Sequence, residues 1–181
     1  SVQEKKTTVT KLLKNWVLVY AGNFLGSVLT AWGCAFFGQM NYSDGGLAVF
    51  TIRLAATKSS MPFMNALVLG IFCNMLVCLA VLASLSAKDT AGKVLGLFFP
   101  IAFFVICGFE HSVANMYYIP AGIFAASVPE YAALAAEAGV DLSVLTWGNF
   151  FLGNLLPVTI GNIIGGVLVG AGMWAAFGSR K

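Results

Sequence analysis

Long apolar runs separated by short charged stretches dominate the pattern of this chain. Four runs stand out. Segment A is free of charge from Asn15 to Ser43, and segment B from Ser59 to Ala87. Segment C extends from Val94 to about Ala126, interrupted by Glu110-His111, and segment D from Leu142 to Ser179. A helix needs about 20 apolar residues to cross a hydrocarbon core roughly 30 Å thick, so each run predicts one membrane crossing. The expected helices are about 12–38, 61–86, 94–126 and 146–178, all within a single transmembrane domain, residues 1–181.

Segments C and D are longer than a crossing requires. An unbroken helix over 94–126 would run on the order of 50 Å, which predicts a broken helix. Gly108 beside Glu110-His111 and the Pro120-Ala121-Gly122 step are the candidate breaks, with the interruption expected at or after His111. In D, Pro157 following Gly153-Asn154 marks a second expected break. Irregular backbone persists at membrane depth only where protein or a water-filled cavity satisfies it, so the breaks point to a transport path. The stretch from Pro129 to Gly139 is Ala-rich and predicts a short surface helix in an external linker carrying Glu130, Glu137 and Asp141.

The basic residues alternate about the runs. Lys5, Lys6, Lys11 and Lys14 precede A, Lys88 and Lys93 separate B from C, and Arg180 and Lys181 follow D. Only Arg53 and Lys58 lie between A and B, and none lies between C and D. The positive-inside rule then places both ends of the chain in the cytoplasm after four crossings. Segments A and D also share a motif, G-N-x-x-G-x-V-L, at Gly22–Leu29 and Gly161–Leu168. Because A and D run in opposite directions across the membrane, the match predicts an inverted repeat. Gly-x-x-x-Gly alone would indicate only close helix packing.

Composition agrees with a membrane domain. Charged residues make up 9%, against roughly 25% in a soluble domain. Cys34, Cys73, Cys78 and Cys107 all lie in apolar runs without zinc-ligand spacing and read as small hydrophobes. No nucleotide-binding loop, Ser-His-Asp set, paired carboxylates or metal cluster is present. No cofactor, no nucleic-acid partner and no enzymatic activity are therefore expected.

Against this background the polar residues inside the runs attract notice. An intramembrane ionisable group is costly and points to function by default. Glu110 and His111 are such groups, and His111 is the sole histidine. Being adjacent, they are expected to face different neighbours. Asn74 and Asn115 lie mid-span, and Asn23 and Asn162 lie in the repeat. Interhelical hydrogen bonding is the ordinary reading of such asparagines, more so for Asn23 and Asn162. Phe103, Phe104, Phe109, Tyr117 and Tyr118 could narrow a pore near His111.

At these residues the chain resembles a known family. Gly70-Ile71-Phe72-Cys73-Asn74-Met75-Leu76-Val77-Cys78-Leu79-Ala80 is similar to the second signature of the formate/nitrite transporter family. Lys14–Asn23, Gly108–Met116 and Pro157–Gly166 resemble further parts of it. The resemblance implies an all-α integral membrane fold, an aquaporin-like inverted-repeat helical bundle with six helices per subunit. Four would be present here, as the third to sixth helices in the C-terminal two thirds of the family domain. The family's first signature is absent, so the missing N-terminal helices would come from the rest of the subunit or a second chain.

The resemblance also implies a homopentamer in the cytoplasmic (inner) membrane, with lipid around it and one pore per subunit. It places His111 in the pore centre, Asn74 as its polar neighbour and Phe104 at an aromatic constriction. Lys58 would draw anions into the vestibule from the outer start of the fourth helix. Glu110, Asn115, Asn23 and Asn162 would support the pore. The expected function is passage of a small monovalent anion, formate first, with pH dependence through His111. Formate is favoured because 116–120 and 157–166 look most like formate members. The alternatives are nitrite or hydrosulfide, a non-transporting membrane anchor or assembly subunit, and a haem or redox anchor, which a single histidine disfavours.

Overall fold

A computed structural model describes residues 8–178. Among them the chain is helical with no strand. Helix α1 spans Val9–Phe36 and is capped by the Thr8 side chain, which accepts from Lys11 N–H. Helices α2, Gly46–Ser59, and α3, Phe63–Ser86, follow. Then come α4, Thr90–Ile106, with Asp89 as its N-cap, and α5, Ser112–Ala126. Helix α6 is Pro129–Glu137. The last helix runs Asn149–Gly178. Its middle, α7 (Leu156–Met173), lies between π-helical turns at Asn149–Leu155 and Trp174–Gly178. The charges Lys5, Lys6, Arg180 and Lys181, used above for orientation, lie outside the described residues.

Three of these helices, α1, α3 and Asn149–Gly178, are long and apolar enough to cross a membrane. Helix α4 is a shorter apolar helix, and α5 and α6 form a pair bent by 100°. Segment C is thus divided between α4 and α5, each below the roughly 20 residues that a crossing needs.

The break follows from Gly108, whose φ is +70°. In that left-handed conformation, which only glycine adopts without a steric cost, Gly108 N–H reaches Val105 O at 3.1 Å and Phe109 N–H reaches Phe104 O at 3.0 Å. This pair of bonds is a Schellman stop. The interruption covers 107–111 and ends on His111 instead of following it. Helix α5 continues through Pro120 and Gly122, so the second candidate break in segment C does not form.

Two other expectations are corrected. The A–B stretch is not a loop but contains α2, and Lys58 sits in its last turn. Pro157 does not break segment D. Its ring crowds the preceding turn and it offers no N–H, but the chain there is π-helical, with Leu156 N–H donating to Phe151 O five residues back. The widened turn keeps the helix continuous.

The described chain divides into two compact units. One comprises the residues up to Thr57 with Met116–Leu145. Its core is Ala31, Met40, Ala48, Ile52, Ala121, Ala125, Tyr131 and Ala135. Within it α2 and α5 cross closely, because a β-carbon at Gly122 would lie 2.1 Å from Ala55 Cβ. Helix α6 is anchored here: Tyr131 hydroxyl bonds Asn41, and Arg53 Nη2 donates to Ala138 O at 2.9 Å. The buried Tyr131 and Ala135 make it a packed element with one wet face, more than a surface helix.

The other unit comprises Lys58–Asn115 with Thr146 onward. In it α3 packs along α7 with glycines at the seam. A β-carbon at Gly161 would lie 2.2 Å from Leu67 O, and one at Gly165 would lie 2.2 Å from Ile71 O. Such backbone-to-backbone approach is how helices associate where lipid removes the hydrophobic drive.

Candidate functional site: a buried polar cluster at the helix break

The second unit gathers most of the polar residues singled out above. Glu110 is 1% exposed. Its Oε1 receives Lys58 Nζ at 2.5 Å. Its Oε2 receives Asn115 Nδ2 at 2.6 Å and Asn154 Nδ2 at 3.1 Å. Three N–H donors on two oxygens form the pattern of a carboxylate, which accepts and does not donate. A buried ion pair repays its desolvation only when further hydrogen bonds satisfy both partners, and the two asparagines supply them on the acid side.

Lys58 is buried by all but 8% of its surface. It lies at the end of α2, before the start of α3, with its charge matched by Glu110. Lys58, expected to draw anions into the vestibule, lies within this cluster.

His111 lies at the N-cap position of α5. Its Nδ1 accepts from Ala114 N–H at 3.2 Å, the bond that a Ser, Asp or Asn cap would normally make. The neutral ring therefore carries its proton on Nε2 and offers a donor there. Ser112 N–H, another unpaired donor of the first turn, bonds Asn162 Oδ1 at 2.9 Å. Glu110 and His111 do face different partners, one the ion pair and the other the helix end.

Phe104 is buried and stacks on His111, with ring centroids 5.9 Å apart and planes at 19°. Phe109 packs against Phe72 and Phe103. Tyr117 and Tyr118 contact each other in the first unit. Asn162 ties the cluster to α3 through Nδ2 to Gly70 O at 2.8 Å, and to the break through Nδ2 to Glu110 O at 3.0 Å. Asn74 Nδ2 donates to Asn162 O at 2.6 Å. His111, Phe104, Lys58, Asn74, Glu110, Asn115 and Asn162 thus lie in one unit. Asn23 lies on an exposed face of α1.

The residue that sequence reasoning missed is Asn154, fully buried in the π-helical turn. Besides Glu110 it donates to Lys58 O at 3.0 Å and accepts from Asn115 Nδ2 at 2.7 Å. Its one sequence signal is an amide in an apolar run three residues before a proline, which had been read only as part of a break. No group of three His, Cys, Asp or Glu that could hold a metal occurs among the described residues.

Comparison with known proteins agrees with this architecture. The family model described as "Formate/nitrite transporter" matches residues 1–176. The chain is 40% identical over 177 residues to the formate channel FocA of Escherichia coli K12, covering 95% of this chain and 61% of that protein. It is 39% identical to FocA of Haemophilus influenzae, covering 90% of this chain and 58% of the relative. A solved structure titled "Pentameric formate channel with formate bound" superposes with a TM-score of 0.84 at 35% identity. That match covers 95% of this chain and 69% of the other. The chain thus spans about three fifths of the length of these curated relatives. With its apolar helices and its match along nearly the whole length, this multi-pass membrane protein belongs to the formate/nitrite transporter family.

Proposed function

We propose that the chain forms the larger part of a channel subunit for small monovalent anions, formate first, with His111 on the permeation path. The observation that carries this reading is the capped, stacked histidine. Its Nδ1 is engaged by Ala114 N–H, so Nε2–H is the donor available to an anion, and Phe104 lies against the ring. A carboxylate loses much solvation in an apolar constriction. A hydrogen bond from Nε2 offsets part of that loss, and the positive end of α5 adds to it. Asn74 is the polar neighbour, and Lys58, paired with Glu110, holds the break that carries His111.

The anion can cross in two ways. The neutral imidazole donates a hydrogen bond and the anion passes charged, or an imidazolium gives up a proton and the neutral acid passes Phe104. The second route requires a proton on Nδ1 and therefore loses the Ala114 bond. Both routes make flux depend on pH near the titration of imidazole, about 6.5 for an unperturbed ring.

The working unit in this reading is a homopentamer in the cytoplasmic membrane. Both ends of this chain face the cytoplasm, and the helices that relatives carry beyond it are supplied by the rest of the subunit or a second chain. No chemical transformation of the anion is assigned to it. Flux of formate, nitrite and hydrosulfide into liposomes holding the complete pentamer tests the reading. Formate should pass fastest. Faster nitrite or hydrosulfide would change the substrate, and passage of none would make the protein a non-transporting subunit.

A further inference from the structure

The anion-channel reading needs His111 and the Lys58–Glu110 pair at fixed places, and it leaves Asn154 without a role. Asn154 occupies the penultimate position of the π-helical turn Asn149–Leu155. A π-turn inside an α-helix carries an extra residue and re-aims the side chains it contains, often at functional sites. Here it buries an amide completely, with all its hydrogen-bonding capacity directed at one cluster.

The orientation of that amide is not interchangeable. One Nδ2 hydrogen goes to Lys58 O at 3.0 Å, at the end of α2, and the other to Glu110 Oε2 at 3.1 Å, in the break. Oδ1 accepts from Asn115 on α5 at 2.7 Å. Flipping Asn154 would set its oxygen against a carbonyl and a carboxylate. Flipping Asn115 would set its oxygen against two acceptors, since both its bonds also run from Nδ2. Asn115 Oδ1 is left buried without a hydrogen-bond partner among the described residues, so the array keeps its donors toward Glu110 at the expense of one acceptor.

We propose that Asn154 is the positioning residue of the Lys58–Glu110 ion pair: by occupying Oε2 from the widened turn, it leaves Oε1 to the ammonium beside the helix break that carries His111. The inference rests on the channel reading only where it concerns flux. The ionisable groups of this unit nearest the amide in the fold are Lys58 on α2, Glu110 and His111 at the break, and the buried Cys73 on α3. A second carboxylate at position 154 would stand about 3 Å from Oε2, too close for both acids to ionise.

The test uses the complete pentamer and three variants. Asn154→Asp should hold one shared proton at neutral pH. Its infrared difference spectrum against the parent should show a protonated carboxylic C=O stretch, and its formate flux should gain an inflection with pH that the parent lacks. Adding Glu110→Gln to Asn154→Asp removes the second acid and should abolish both the band and the inflection. Asn154→Leu removes three hydrogen bonds, one of them charge-assisted, and should lower flux by about tenfold or more.

If Asn154→Asp assembles with neither band nor inflection, or the double variant keeps them, the positioning role is overturned. If Asn154→Leu fails to assemble, the near-isosteric Asp pair still decides. If the parent passes no anion, the channel reading fails, while the infrared band still decides the role of Asn154.

Discussion

The same eight-residue pattern meets opposite surroundings in α1 and α7. At Gly161 and Gly165 there is no room for a β-carbon, because the carbonyls of Leu67 and Ile71 stand 2.2 Å from where it would lie. At Gly22 and Gly26 nothing lies within 4 Å. Asn162 is 9% exposed and bonds Gly70 O, Glu110 O and Ser112 N–H, whereas Asn23 is exposed. Along α1, Val17, Leu18, Leu25 and Leu29 are all more than 60% exposed. The motif therefore specifies a surface on which another backbone can lie closely. It does not specify that something lies there, and the pattern acts as a seam only where α3 is in place.

The widest predicted gap between the two copies is at the asparagines. Asn162→Leu strands the Glu110 carbonyl and the Ser112 N–H in a buried site and should destabilise the protein by about 3 kcal/mol, at roughly 1–3 kcal/mol per unsatisfied group. Asn23→Leu in this chain should stay within about 0.5 kcal/mol, as exposed substitutions do. Thermal unfolding in detergent separates the two. Equal effects would mean that the asparagine contacts are not what distinguishes the copies.

The glycines come next. Gly165→Ala should cost about 1–3 kcal/mol because α3 and α7 must part to admit a methyl group. Gly26→Ala should stabilise α1 by up to about 1 kcal/mol, since alanine favours a helix where nothing is crowded. Measured again in the complete subunit, Gly26→Ala sharpens the comparison. A cost there that is absent in this chain would mean that a helix covers α1 in the full assembly.

The same contrast of buried against exposed holds for two cations on α2. Lys58 is buried against Glu110 and Arg53 is exposed, donating to Ala138 O. Arg53→Gln should cost no more than about 1 kcal/mol. Lys58→Met, which leaves Glu110 without its cation, should cost roughly 3–5 kcal/mol. Urea unfolding of both variants tests whether the buried cluster or the loop anchor holds α2.

The helix break was legible because segment C is too long to be one crossing and Gly108 sits where a left-handed residue is needed. Its exact extent was not, because a histidine is an unusual N-cap and only the Ala114 bond reveals it. Helix α2 was missed because a charge inside an apolar stretch reads as the edge of a crossing. That reasoning assumes the charge meets water, and Lys58 meets Glu110 instead. The widened turn before Pro157 was misread as a break, since sequence alone cannot tell whether the chain yields to a proline by ending a helix or by inserting a residue. Asn154 was lost with it. His111, Asn74 and Glu110 were visible from polarity at membrane depth, but which groups they meet depends on contacts distant in sequence.

Formate flux against pH in the complete assembly, parent beside His111→Asn and His111→Phe, decides whether His111 lies on the path of the anion. The parent should change flux across the range where imidazole titrates. His111→Asn should pass formate without that change, because it keeps a hydrogen-bonding group but no titrating proton, and His111→Phe should alter anion preference while the assembly stays intact. If both variants keep the parent's pH profile and its order of formate, nitrite and hydrosulfide, His111 only caps α5 and does not meet the anion.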